Sequence, residues 1–143
     1  MTADSDPTQL EPQEAHELLQ QNPQALMIDV RTTMEHLMIG HPAGAVHVPW
    51  LDEPDWSAHP EQFVAKVRET LLGGQFCEEG DCVPVILICR SGRRSLEAGR
   101  VLLDAGLPQV YYVRGGFEGP LDESHHRSTR AGWRFHGLPW EQC

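Results

Sequence analysis

The sequence predicts an α/β domain built on a mainly parallel central sheet of about five strands, flanked by helices on both faces. Two observations carry this expectation. Short apolar runs alternate with amphipathic helical stretches along the chain, the pattern of repeated strand–helix units. One run, Val85-Ile86-Leu87-Ile88, is branched and apolar throughout, as a strand buried on both faces would be. It ends in Cys89 and a polar loop, Arg90-Ser91-Gly92-Arg93-Arg94-Ser95, before an amphipathic helix begins. In α/β sheets, chemistry gathers where the carboxyl end of a strand faces the amino end of a helix.

In chain order, residues 1–7 read as a flexible tail, and 8–143 as one domain whose first residues form a short edge strand. Pro12 to Gln21 suits a helix opening on proline and ending near Asn22-Pro23. Ala25 to Arg31 is a short buried strand. Thr32 or Thr33 caps a helix through about Met38, which Gly40 stops. Gly44 to Pro49 is a second strand, ended by its proline. A loop bearing Trp50 and Trp56 follows, and Glu61 to Leu72 places Phe63, Val64, Val67 and Leu71 on one helical face. Residues 73–83 read as a loop. After the Val85–Ile88 strand, Leu96, Gly99, Arg100 and Leu103 recur at helical spacing to about Ala105, and Gly106 ends that helix. Val110 to Val113 is a further strand closed by Gly115-Gly116. The remainder suggests a helix near Leu121–Thr129 and, over about 131–143, an irregular tail rich in Trp, Gly and Pro. Packing of that tail against the domain is favoured, because Gly and Pro pin the chain while Trp buries a large area.

At 143 residues the chain holds one substantial core. No apolar run reaches the length of a membrane span. The acidic, polar start Met1-Thr2-Ala3-Asp4-Ser5 is the reverse of a signal peptide, so a cytoplasmic protein with no membrane contact is expected. The net charge of −10 argues against nucleic acid as a partner. Positive charge is nevertheless concentrated: Lys66 is the only lysine, and Arg90, Arg93, Arg94 and Arg100 crowd around Cys89. A basic mouth on an acidic body suits a small anionic ligand.

With no export signal, the four cysteines Cys77, Cys82, Cys89 and Cys143 do not imply a disulfide framework. Cys77 and Cys82 have a loop-like spacing without a second Cys or His pair at finger-like distance, so neither a metal nor another cofactor is expected. A redox pair or two unrelated surface thiols are the readings left for them.

The Cys89 loop itself carries the chemistry. Successive backbone N–H groups converge in such a loop, and the helix start adds positive potential. Together with the arginines, they suit a negatively charged sulfur and whatever is bonded to it. Gly92 fits a position that side chains disfavour. Phosphate monoester hydrolysis uses the pattern Cys-(x)5-Arg, which would require arginine at 95; Ser95 stands there and Arg94 falls one residue early. The tighter cradle is better sized to a single terminal sulfur than to a tetrahedral phosphate.

The loop Cys89-Arg90-Ser91-Gly92-Arg93-Arg94-Ser95 resembles the active loop of the rhodanese family of sulfurtransferases. Leu26 to Arg31 followed by Glu35 resembles the family's early segment. Gly40-His41-Pro42-Ala43-Gly44-Ala45-Val46-His47-Val48-Pro49 and Val113-Arg114-Gly115-Gly116-Phe117 resemble two later ones. These motifs fall in the family's order across about residues 8–120; the Cys77/Cys82 loop and Pro42 depart from its pattern. The resemblance implies a rhodanese-like domain and a transfer of sulfane sulfur through a Cys89 persulfide. The donor would be thiosulfate or a related small anion, and the acceptor cyanide, a small thiol or a protein thiol. Backbone N–H groups of Arg90 through Ser95 would hold the persulfide. Arg90 and Arg93 would bind a sulfonate, while Arg94 could turn inward to fix the loop. Asp29 and Arg31 would support the loop rather than take part in chemistry. A persulfide carrier serving a protein partner is the alternative, and a phosphatase or arsenate reductase a further one. His41 and His47 read as core hydrogen-bonding residues, and His125-His126 as a solvated face.

Overall fold

The structure, a computed structural model, describes residues 6–71, 83–90, 92–107 and 109–142. Its strands are β1 (Thr8–Leu10), β2 (Leu26–Asp29), β3 (His41–Pro42), β4 (Val46–His47), β5 (Val85–Ile88), β6 (Val110–Val113) and β7 (Trp140–Glu141). Its α-helices are α1 (Pro12–Gln21), α2 (Pro60–Thr70) and α3 (Arg93–Asp104), with a π-helical turn at Glu35–Ile39.

Five strands form a parallel sheet in the order β1-β6-β5-β2-β4. The apolar run of β5 takes the central place because both its faces are covered: Leu87 pairs with Ile28 on one side and Tyr112 on the other. Alternation then sorts side chains to two cores. Val85, Leu87 and Cys89 join Ile28 and Val30 against Phe63 and Val67 of α2 and Ala98 and Leu102 of α3. Ile86 and Ile88 join Met27 and Val113 against Ala15 of α1, with Phe117 and Trp133. Helices thus cover both faces, as the sequence predicts. Among the described residues, no helix is long and apolar enough to cross a membrane.

Element boundaries are tighter than the sequence suggests; the strand expected over Gly44–Pro49 pairs only at Val46–His47. The helix expected after Thr32 becomes the short π-helical turn. Thr32 caps it: its Oγ1 accepts the Glu35 N–H at 3.2 Å, and the Glu35 carboxylate accepts the Thr32 N–H at 3.0 Å.

The helix expected near Leu121–Thr129 is absent, and turns and bends stand in its place. Asp122 accounts for this. Its carboxylate accepts N–H bonds from Ser124 and His126 at 2.8 and 2.9 Å and the Thr129 hydroxyl at 2.6 Å. Such side-chain bonds offer the backbone an alternative to a helix, and His125 and Ser128 adopt left-handed φ values of 63° and 64°. The tail does pack: Trp133 is 1% exposed in the α1-side core, and β7 pairs antiparallel with β3.

Candidate active site

Cys89 follows β5 directly and is 1% exposed. The chain turns immediately after it, and the Gly92 N–H donates to Cys89 Sγ at 3.0 Å. Gly92 caps α3 with φ 122°, a conformation that a β-carbon disfavours. The cysteine sulfur therefore faces an N–H donor at the positive end of a 12-residue helix.

A second turn holds the loop from behind. The Phe117 N–H donates to the Cys89 carbonyl at 2.7 Å, and those of Glu118 and Gly119 donate to the Arg90 carbonyl at 3.0 and 3.2 Å. This contact needs Gly116: a β-carbon there would lie 2.3 Å from the Cys89 carbonyl oxygen. The closing glycine pair thus lets two backbones touch.

Arg94, in the first turn of α3, reaches across to Glu35 and binds both its oxygens, at 2.9 and 3.1 Å. Burial opposes the Glu35 charge, but Arg94 and the Thr32 N–H outweigh it and hold the carboxyl below its usual range. Burial likewise works against Arg94's charge, and Glu35 more than offsets it. Arg94 turns inward and joins the loop to the π-helical turn.

Below this pair lies a buried ionic cluster. Asp29 accepts Arg31 Nε at 2.9 Å and Nη2 at 2.7 Å, together with His36 Nδ1 at 2.7 Å. Arg31 also donates to the Gly40 carbonyl and sits 4.6 Å over the Phe117 ring. Burial alone would raise the Asp29 carboxyl, yet the His36 and Arg31 bonds prevail and lower it to about 2. His36 stacks between His41 and His47, with centroids 3.8 and 4.5 Å away. His41 Nδ1 pairs with the His36 carbonyl and His47 Nε2 with that of Arg31. Desolvation is the main cause keeping His47 below the usual histidine range. The two histidines hydrogen-bond within the core, as the sequence suggests.

The structure brings Cys89, Gly92, Arg94 and Ser95 together at one strand–helix junction. Ser95 is fully buried, and its hydroxyl has no partner among the described residues. Arg90 and Arg93 are exposed, and their guanidinium groups have no partner among the described residues. Ser91, Cys77, Cys82 and Cys143 lie outside the described residues. Two features escape the sequence reading. His36 joins Asp29 across the turn, a lone histidine with no motif to mark it. The cavity beside the loop, about 600 Å³, is lined by Arg90 and Arg94 together with Met34, Leu51 and Trp56.

Fold and site together define an α/β protein with a cysteine cradled between a central strand and a helix amino terminus. Comparison with known proteins narrows the class. The family model of the rhodanese-like domain matches residues 11–123. The chain is 32% identical over 113 residues to the thiosulfate sulfurtransferase GlpE of Glaesserella parasuis serovar 5, covering 78% of this chain and 84% of that one. It superimposes on the crystal structure of Rv0390 from M. tuberculosis with a TM-score of 0.80 and 36% identity, over 97% of this chain and 100% of that one. The solution structure of a polysulfide-sulfur transferase homodimer from Wolinella succinogenes gives 0.59 and 25% identity, over 99% and 82% of the two chains. The chain belongs to the rhodanese-like domain family.

Proposed function

We propose that the protein is a sulfurtransferase that moves a sulfane sulfur from thiosulfate, or a related anionic donor, to a thiophilic acceptor through a persulfide on Cys89. The observation that carries this reading is the Gly92 N–H aimed at Cys89 Sγ at the amino end of α3. In the first step the Cys89 thiolate attacks the outer sulfur of thiosulfate. The S–S bond of the donor breaks, its electron pair leaves with sulfite, and the enzyme keeps a Cys89 persulfide. In the second step the acceptor nucleophile takes the outer sulfur, and the electron pair of the persulfide bond returns to Cys89. With cyanide the product is thiocyanate. No oxidant or reductant enters, and each half-reaction is complete before the next, which gives ping-pong kinetics.

The arginines divide the labour. Arg90 and Arg93, exposed and unpaired among the described residues, attract the sulfonate end of the donor. Arg94 is committed to Glu35 and holds the loop. Arg94, the loop arginine nearest the position a phosphatase would use, is thereby unavailable to clamp phosphoryl oxygens.

Mass spectrometry of the intact protein tests the reading. Thiosulfate treatment adds one sulfur atom, cyanide removes it, and Cys89→Ser never acquires it. Sulfur uptake by Cys89→Ser, or none by the wild type, overturns the assignment.

A further inference from the structure

The acceptor can be defined more closely from the cavity beside the loop. Its volume, about 600 Å³, lies within the range of small-molecule sites. Its lining is mixed in character. Arg90 supplies a positive charge with no partner among the described residues, and Arg94 is neutralised by Glu35. Met34, Leu51 and Trp56 add apolar surface to the lining, and Glu53 contributes a carboxylate with no partner among the described residues. An anionic group is therefore drawn to Arg90 and repelled by Glu53.

Trp56 is the unusual member. It is 57% exposed and has φ 60°, a left-handed conformation that bulky residues seldom adopt. Local bonds hold it there. Its N–H donates to the Asp52 carbonyl at 2.8 Å, while the Asp52 carboxylate accepts the Thr33 N–H at 3.0 Å and the Thr33 hydroxyl. An indole is thus kept in solvent by a turn tied to the same segment that carries Glu35. Backbone strain that the surroundings enforce is often found where a ligand is met.

We infer, building on the sulfurtransferase reading, that this cavity takes an organic acceptor thiol with a carboxylate beside its sulfur and an apolar, aromatic tail, and that Trp56 sets this preference. The carboxylate meets Arg90, in the place the donor's sulfonate has left. The tail lies on Trp56, Met34 and Leu51. The acceptor thiolate then attacks the outer sulfur of the Cys89 persulfide. A new S–S bond forms on the acceptor, the old one breaks towards Cys89 Sγ, and the product departs as an organic persulfide. The net charge of −10 favours a small anion over an acidic macromolecule, because the attraction is local to the loop arginines while the body of the chain repels.

Steady-state transfer from thiosulfate to 2-mercapto-3-phenylpropanoate, 2-mercaptopropanoate and 2-phenylethanethiol tests this. The first two share a reacting end and differ only in the ring; the third lacks the carboxylate. The phenyl acid should have a kcat/KM at least about tenfold above that of 2-mercaptopropanoate, as burial of a ring supplies, with the gain in KM. The third thiol should lose most of the advantage. Trp56→Ala should bring the two acids within about twofold while Trp56→Phe retains the preference, and cyanide serves as the tail-free reference in each variant. Equal use of the two acids by the wild type, or an unchanged preference in Trp56→Ala, overturns the inference while thiocyanate formation leaves the underlying transfer standing. A wild type that neither takes up sulfur nor makes thiocyanate overturns both.

Discussion

At the scale of single residues, the site rests on charges placed where water cannot compensate them. Asp29 is the clearest case, because it is fully buried and holds Arg31 and His36. Its carboxyl lies at about 2 in the folded protein, against about 3.9 in an unfolded chain. The folded state therefore favours the ionised form. The stability it contributes is complete above the unfolded value and is lost as pH falls towards the folded one. Linkage converts the difference into roughly 2–3 kcal/mol. Urea titrations at pH 7, 4 and 3 should show stability dropping between the last two. Asp29→Asn should flatten that drop and cost about 3–5 kcal/mol at pH 7, because the Arg31 guanidinium stays buried without its counter-charge. Arg90→Gln tests a charge of another kind, exposed and without a partner among the described residues. Its removal should raise KM for thiosulfate several-fold and leave the unfolding midpoint unchanged; an unaltered KM would take Arg90 out of donor binding.

At the scale of elements, what matters is how closely backbones approach. Gly116 lets the turn after β6 press on the carbonyls of Cys89 and Arg90, and it does so at φ 63°. Gly116→Ala must move the loop, the turn or both. Cyanide-dependent turnover should fall more than about tenfold, since misplacing a reacting group by an ångström has effects of that order, while circular dichroism still reports the native helices. Full activity in that variant would mean that the contact does not position the cysteine. This element also marks the limit of what the sequence discloses. The β5 run, Cys89 and the helix start are legible because burial and helical spacing write themselves into residue order. The glycine pair is legible only as punctuation, since a contact between chain-distant backbones leaves no periodic trace. Asp122 shows the opposite failure: the residues after Leu121 look helical until its carboxylate takes three local donors. The inward turn of Arg94 is anticipated from the resemblance; its partner Glu35, 59 positions away, stands out there as part of the early segment, but nothing in residue order pairs the two.

At the scale of the whole molecule, the carboxyl-terminal segment joins fold and site. The rhodanese-like match ends at residue 123, yet the α1-side core is completed ten positions later by Trp133. The Trp133 N–H donates to the Gly116 carbonyl at 2.9 Å and that of Arg134 to the Phe117 carbonyl at 3.1 Å. The indole N–H closes the segment on the Pro139 carbonyl at 2.8 Å, and Arg134 reaches the Ile39 carbonyl at 3.2 Å. Tail, glycine turn and Cys89 carbonyl therefore form one stack, in which each layer holds the next. Loss of the outer layer should be felt in the middle of the sheet. Trp133→Ala removes a fully buried ring from this stack and should cost about 3–5 kcal/mol, as aromatic truncations in cores do. A chain ending at residue 130 should lose more, because β7, the Arg134 bonds and the ring go together. Thermal unfolding followed alongside sulfur uptake separates the two roles of the segment. Where the shortened chain still folds at low temperature, its persulfide should form more slowly than that of the full chain, because the Gly116–Phe117 turn is no longer held against the loop. Equal rates of sulfur uptake in the two folded proteins would confine the segment to stability.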